Sequence, residues 1–169
     1  YVVLYTVWLK RRSWTNIIIG GLAGSFAVLA GGASSTPGLC APPLLLALVM
    51  FFWTPSHFWS FAIVHREDYG KAGVPMLPNV VGESRTARYI LANTVSMVAL
   101  SFLPALFGYM GMVYAAAAAA SGVYFIIRNI QLVRDTSKDN AWKNFKASML
   151  YLGVILLAVI IDSIIQRGG

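Results

Sequence analysis

Apolar residues in this chain come in blocks too long and too uniform for a water-soluble core. Residues 44–64 and 147–161 carry scarcely any polar face, whereas a helix on a soluble domain shows a polar stripe. A helix needs roughly 20 apolar residues to cross the hydrocarbon of a bilayer. Inside it the backbone must satisfy its own hydrogen bonds, which leaves helices and closed barrels. The alternating strands of about ten residues that a barrel requires are not in the pattern. Charge agrees: 11% of the 169 residues are charged and 58% are hydrophobic, against roughly 25% charged in soluble domains. Mean hydropathy is +0.69. The fold class expected is all-α: a polytopic transmembrane helix bundle forming a single transmembrane domain.

The spacing predicts one partial span at residues 1–9 and full spans near 15–32, 43–64, 86–107, 111–133 and 146–166. The first run is too short to cross and does not read as a signal peptide. It reads as the end of a helix begun upstream, and the chain as the C-terminal portion of a longer bundle. The single cysteine, Cys40, allows no internal disulfide.

The net charge of +7 is one-sided. Lys10, Arg11 and Arg12 share one loop. Arg66, Lys71, Arg85 and Arg88 fall two spans later, and Arg128, Arg134, Lys138, Lys143 and Lys146 two spans after that. Of the 13 Lys and Arg, only Arg167 falls opposite. Positive loops stay on the cytoplasmic side, or on the matrix side in mitochondria. Orientation therefore accounts for the charge. No basic face is interleaved with exposed aromatics, so nucleic acid is not an expected partner.

Ionisable residues within spans are functional candidates by default. His57 is in the middle of the second full span. Asp162, near the far end of the last, reads more simply as a helix-end or packing residue. The densest polar cluster runs from His65 to Lys71. If one helix continues through Asp68, then His57, Phe61, Val64 and Asp68 share a face, with His57 and Asp68 about 16 Å apart along the axis. Such a face suits a long amphipathic substrate with its charged head at the rim. Carboxylates beside basic loops suggest a diphosphate site, since Mg²⁺ takes one or two carboxylates plus phosphate oxygens. Glu67 and Asp68 supply carboxylates, and Lys71 and the Lys10–Arg12 loop supply cations. Adjacent residues of a regular helix cannot both face one groove, which favours Asp68. The other reading of this cluster is a solvated loop. Pro55 is expected to bend the span near His57. Gly20 and Gly24, with Gly21 beside them, suit close helix packing.

The stretches YTVWLKRRSWTNIIIGGLAG and FFWTPSHFWSFAIVHREDYGKAGVPMLPNVVGE resemble the protoheme IX farnesyltransferases, or heme O synthases, among the UbiA-type intramembrane prenyltransferases. The likeness is close from Tyr5 to about Arg85, and WTPxHFW, REDYxKAG and VPMLP carry it. It implies a nine-helix bundle, of which this chain holds the end of helix four and helices five to nine. It implies farnesyl diphosphate and heme B as substrates, with Mg²⁺ as cofactor. A farnesyl group would join a heme vinyl group, with addition of water, to give heme O and diphosphate. Two acidic motifs bind diphosphate and metal in this family; the first would lie upstream. The second corresponds to Glu67 and Asp68, carried over as catalytic and metal-binding, with Lys10, Arg11 and Lys71 binding diphosphate. His57 would ligate iron or orient the porphyrin; the rival reading is a buried histidine bonded to a helix carbonyl. Trp53, Phe58, Trp59 and Phe61 are expected to pack, with one or two shielding the allylic cation. Asn16 is either a helix cap or a diphosphate contact.

The chain departs from the DxxxD pattern of many relatives, whose aspartates would fall at His65 and Tyr69. The REDY form favours heme over a quinone-type acceptor. A prenyltransferase acting on a quinone-type ring and a non-enzymatic membrane subunit are the competing readings. The VPMLP segment points to a bacterial cytoplasmic membrane, with the mitochondrial inner membrane as the alternative.

Overall fold

The computed structural model describes residues 13–35 and 40–168. The expected partial span at residues 1–9 and the cations Lys10, Arg11 and Arg12 lie outside the described residues. The described residues form eight helices and no strands: α1 (Asn16–Ser35), α2 (Ala41–Val64), α3 (Arg66–Lys71), α4 (Leu77–Val81), α5 (Glu83–Ser101), α6 (Leu103–Leu106), α7 (Met112–Arg134) and α8 (Lys138–Gly168). Five stretches are long and apolar enough to cross a bilayer: α1, α2, α5 with α6, α7 and α8. The five expected full spans are therefore present. Large apolar side chains point outward along them, including Phe26, Leu157 and Ile164. A water-soluble monomer does not expose so much apolar surface.

The differences from expectation lie at the helix ends. α8 starts about two turns earlier than the hydropathy suggests. Ser137 is its cap, accepting from the Asn140 backbone N–H at 3.4 Å and donating to Asp135 at 2.9 Å. The segment 138–145 is therefore helix rather than loop. Pro104 separates α5 from α6, because its ring removes a backbone donor and crowds the preceding turn. The condition that one helix continue through Asp68 is not met. His65 leaves the helical region at φ −104°, ψ 26°, ending α2 and starting α3. Gly73, at φ +65°, then turns the chain after α3 through a conformation that favours glycine.

Two apolar clusters hold the bundle. The one near the charged rim joins Ile17, Trp59, Ile63, Leu77, Ile90 and Leu132. The deeper one joins Val49, Met97, Tyr114, Phe125, Tyr151 and Ile155. Small residues set the helix distances, as expected where lipid removes most hydrophobic drive for association. On α1 the face against α2 carries Gly21 and Gly24: a Cβ on Gly21 would sit 3.1 Å from Thr54, and one on Gly24 3.5 Å from Met50. On α7 a Cβ at Gly122 would sit 2.7 Å from Val98 of α5.

Buried polar side chains are threaded into one chain across α5, α2 and α7. Asn93 donates to Ser56 at 2.8 Å, and Ser56 shares a 2.9 Å bond with Thr94. Thr94 donates to Asn129 at 3.2 Å, and Asn129 donates to the Phe125 carbonyl at 2.8 Å. Pro55 is accommodated within α2, where Asn93 also donates to the Phe52 carbonyl and Thr54 to the Met50 carbonyl. Side chains thus bond the carbonyls on either side of Phe51, whose own carbonyl is the one that the proline leaves without its helical donor.

Asp162 belongs to packing. Its carboxylate is 2% exposed. It accepts from the Gly111 backbone N–H, from the Tyr114 N–H at 3.4 Å and from Gln166 at 3.0 Å. Gly111 has no side chain to cap α7, so α8 supplies the anion that its positive end favours. Asp162→Ala leaves these donors unpaired and should lower unfolding stability by about 1–3 kcal/mol, read by thermal unfolding in detergent. Asp162→Asn should recover part of the loss, and an unchanged transition in both would refute the capping role.

Candidate active site at the charged rim

The functional candidates gather where α2 ends, α3 turns away and α8 begins. An aromatic face runs along α2 and α8 toward this end. The His57 ring lies between Trp53, with centroids 4.2 Å apart and planes at 19°, and Phe145, at 4.4 Å and 28°. Phe145 contacts Phe61 at 5.4 Å and stacks on Trp142 at 5.0 Å. Phe61 meets the His65 ring at 4.4 Å. His65 Nδ1 reaches the Asp68 carboxylate at 3.3 Å. The break at His65 therefore does not separate His57 from Asp68; the His65 ring spans it. Val64, expected on the same face, packs instead against the apolar cluster under α4 and α5.

His57 has a defined polar partner. Its Nδ1 lies 2.8 Å from the Ser148 hydroxyl. Ser148 also donates to the Phe145 carbonyl at 2.6 Å, and its own carbonyl accepts from the Trp53 indole at 2.7 Å. The buried histidine bonded to a helix carbonyl is not what forms.

Glu67 and Asp68 are both exposed and diverge, as adjacent helical residues must. Glu67 pairs with Lys138 at 3.3 Å, while Asp68 turns back to His65. Arg66 points away, pairing with Glu83 at 3.1 Å. Lys71 is exposed in the last turn of α3. Lys10 and Arg11 lie outside the described residues, so the rim shows Lys71 alone of the three expected diphosphate cations. Asn16 opens α1 and is fully buried, so it does not present its amide at the rim surface. Tyr69, at the second position of the DxxxD pattern, is half-buried. Burial pushes its phenol above the usual value, which keeps it protonated at neutral pH and removes it as an anionic ligand. A cavity of about 390 Å³ opens at the far end between Gly32, Cys40, Pro43, Tyr114 and Ser163. Among the described residues no carboxylate or cation lines it, so it does not suit a metal-bound diphosphate.

The UbiA prenyltransferase family matches residues 1–154. The chain belongs to the UbiA prenyltransferase family. It is 59% identical over 162 residues to protoheme IX farnesyltransferase 1 of Paramagnetospirillum magneticum (strain ATCC 700264 / AMB-1), covering 96% of this chain and 57% of that one. It is 45% identical to protoheme IX farnesyltransferase 1 of Cenarchaeum symbiosum (strain A), covering 96% and 55%. With the protoheme IX farnesyltransferase of Metallosphaera sedula (strain ATCC 51363 / DSM 5348 / JCM 9185 / NBRC 15509 / TH2) the identity is 42%, covering 98% and 57%. The chain thus spans somewhat more than half the length of these relatives. A solved structure concerned with digeranylgeranylglyceryl phosphate synthase superposes with a TM-score of 0.87 at 24% identity, over 95% of this chain and 57% of that one. That likeness shows a shared fold.

At this candidate site, sequence reasoning missed the contribution of α8. Lys138, Trp142, Phe145 and Ser148 face α2 and α3 from one stretch read as loop and apolar span. A usable signal was present: Trp142, Phe145 and Ser148 recur at three-residue spacing, one face of a helix. The Glu67–Lys138 pair is largely exposed on both sides, and exposed pairs contribute about 0.2–1 kcal/mol. A double-mutant cycle on Glu67→Gln and Lys138→Met should give a stability coupling below about 1 kcal/mol, measured by unfolding. A larger coupling would mean the pair is a structural tie.

Proposed function

We propose that the protein carrying this sequence transfers a farnesyl group from farnesyl diphosphate to a vinyl group of heme B, giving heme O. The observation that carries the reading is a continuous path. An exposed carboxylate rim at Glu67 and Asp68 passes through His65, Phe61 and Phe145 to His57 within the span. The names of the relatives support the choice of donor and acceptor.

The rim would take the diphosphate head. Glu67 and Asp68 offer hard oxygen donors of the type Mg²⁺ prefers. The two carboxylates diverge, and among the described residues no group of three His, Cys, Asp or Glu side chains could hold a metal, so phosphate oxygens and water would supply most of the shell. The chemistry supplied by bound Mg²⁺ is neutralisation of charge on the departing diphosphate. Lys71, Lys10 and Arg11 would hold the remaining phosphate charge. Lys138 can join them by exchanging Glu67 for phosphate.

In the reaction the farnesyl C1–O bond breaks and diphosphate leaves with the electron pair. The vinyl carbon of heme B attacks the allylic cation and forms the new C–C bond. Water then adds to the resulting carbocation and loses a proton, leaving a hydroxyl. The chain's own part is to hold the diphosphate at the rim and to face the cation with aromatic π clouds. Phe61 and Trp142 would serve the second task, since Phe145 is stacked against both His57 and Trp142. His57 would orient the porphyrin through its iron.

The protein is read as integral to a bacterial cytoplasmic membrane, with the rim facing the cytoplasm by the positive-inside rule. A protein of the relatives' full length carrying this sequence should convert heme B and farnesyl diphosphate to heme O with Mg²⁺, detected by mass spectrometry. Asp68→Ala should lower turnover about 100-fold or more, the scale of losing one electrostatic contact to a transition state. Product from a quinone-type ring but none from heme B would overturn the acceptor. Failure to bind farnesyl diphosphate, with or without Mg²⁺, would overturn the whole reading.

A further inference from the structure

We propose that Ser148, with Trp53 and Phe145, is a positioning set that fixes His57 as the Nδ1–H tautomer and leaves its Nε2 lone pair for the heme iron. The iron-facing part rests on the heme-acceptor reading above. The tautomer follows from counting protons. A serine hydroxyl has one hydrogen, and Ser148 is placed to donate it to the Phe145 carbonyl at 2.6 Å. The 2.8 Å contact to His57 must then run from Nδ1–H to the Ser148 oxygen. A neutral imidazole carries a single N–H, so Nε2 is left as a bare lone pair.

Orientation is held as firmly as protonation. Trp53 and Phe145 cover the two faces of the ring, which confines it to their common plane. Trp53 is itself anchored, because its indole donates to the Ser148 backbone carbonyl at 2.7 Å. One residue of α8 therefore sets both the stacking partner and the hydrogen bond of a histidine on α2.

The competing account is a packing histidine with no ligand. A histidine used only for packing has its ring edge closed by neighbours, whereas Nε2 here is not among the polar atoms buried without a partner and stays accessible. Among the described residues only Nδ1 has a partner, and the ring is only partly buried. A histidine whose one nitrogen is fixed by a hydrogen bond while the other stays free is the arrangement that metal ligation uses.

The test uses the full-length protein in nanodiscs and two independent readouts. Nitrogen NMR of ¹⁵N-histidine-labelled, ligand-free protein reports the tautomer, with the His57 signals assigned by their loss in His57→Ala. The wild type and Ser148→Thr should show unprotonated Nε2, while Ser148→Ala should show a mixture of tautomers. Titration with ferric heme b, followed by absorption, reports ligation. The wild type should give an imidazole-ligated spectrum that His57→Ala loses. Ser148→Ala should weaken heme binding about 10- to 100-fold, as removal of an outer-shell partner does, and Ser148→Thr should restore it. A protonated Nε2 in the wild type, or a Ser148→Ala protein matching wild type in both readouts, overturns the proposal. If NMR gives the expected tautomer and farnesyl diphosphate binds but heme b does not, the acceptor reading has failed. The iron-facing role then falls with it.

Discussion

In hydrocarbon no water stands ready to complete an unfinished hydrogen bond, and the placement of nearly every polar side chain in this bundle follows from that. Most buried donors find an acceptor on another part of the chain, the Trp59 indole N–H being an exception among the described residues. Ser56, Thr94 and Asn129 are fully buried and linked in series. Asp162 lends its carboxylate to the start of α7 because Gly111 has no side chain to offer. These bonds are modest one by one, about 0.6–2 kcal/mol in lipid. Their larger effect is on register, since helices sharing such bonds cannot slide past one another without breaking them. His57 follows the same discipline at Nδ1, while its Nε2 stays accessible rather than buried.

Most of the architecture was legible in the sequence because its cause is one-dimensional. Span length is set by bilayer thickness, and orientation by which loops carry Lys and Arg. Span length survives translation into three dimensions without knowledge of any contact. The helix ends were less legible. Lys138, Asp139 and Lys143 looked like loop because charge dominates hydropathy, yet Ser137 and Asp135 supply a cap and the helix begins there. The break at His65 was hidden for a related reason, since nothing in REDY announces it.

The site was legible on α2 and α3 and illegible on α8. Motif residues sit close together in sequence, so WTPxHFW and REDY could be read as neighbours. The partners of His57 and Glu67 could not. Ser148 lies 91 positions from His57, and Lys138 lies 71 from Glu67. Antiparallel packing of α8 on α2 makes those distances short, and that packing is decided by the summed surfaces of both helices. Counting spans gives the direction of α8 but not which of its faces meets α2.

The two ends of the proposed site are held with different firmness, and the difference suits what each would bind. At the rim, the pairs Glu67–Lys138 and His65–Asp68 are exposed and contribute little to stability. A diphosphate could therefore displace them at small cost, and under the proposed function the released Lys138 would become one of its ligands. Capture and departure of an anion at each turnover call for contacts that exchange easily. Deeper in the bundle, the His57 ring is confined by two aromatic planes and one hydrogen bond. A flat, rigid acceptor whose vinyl carbon must meet a short-lived cation gains from a fixed contact, because misplacement by about 1 Å can cost roughly 100-fold in rate. Exchangeable ion pairs in water and a clamped ring in lipid are what each environment makes inexpensive. A reaction that joins a charged diphosphate to a large apolar ring would use one of each.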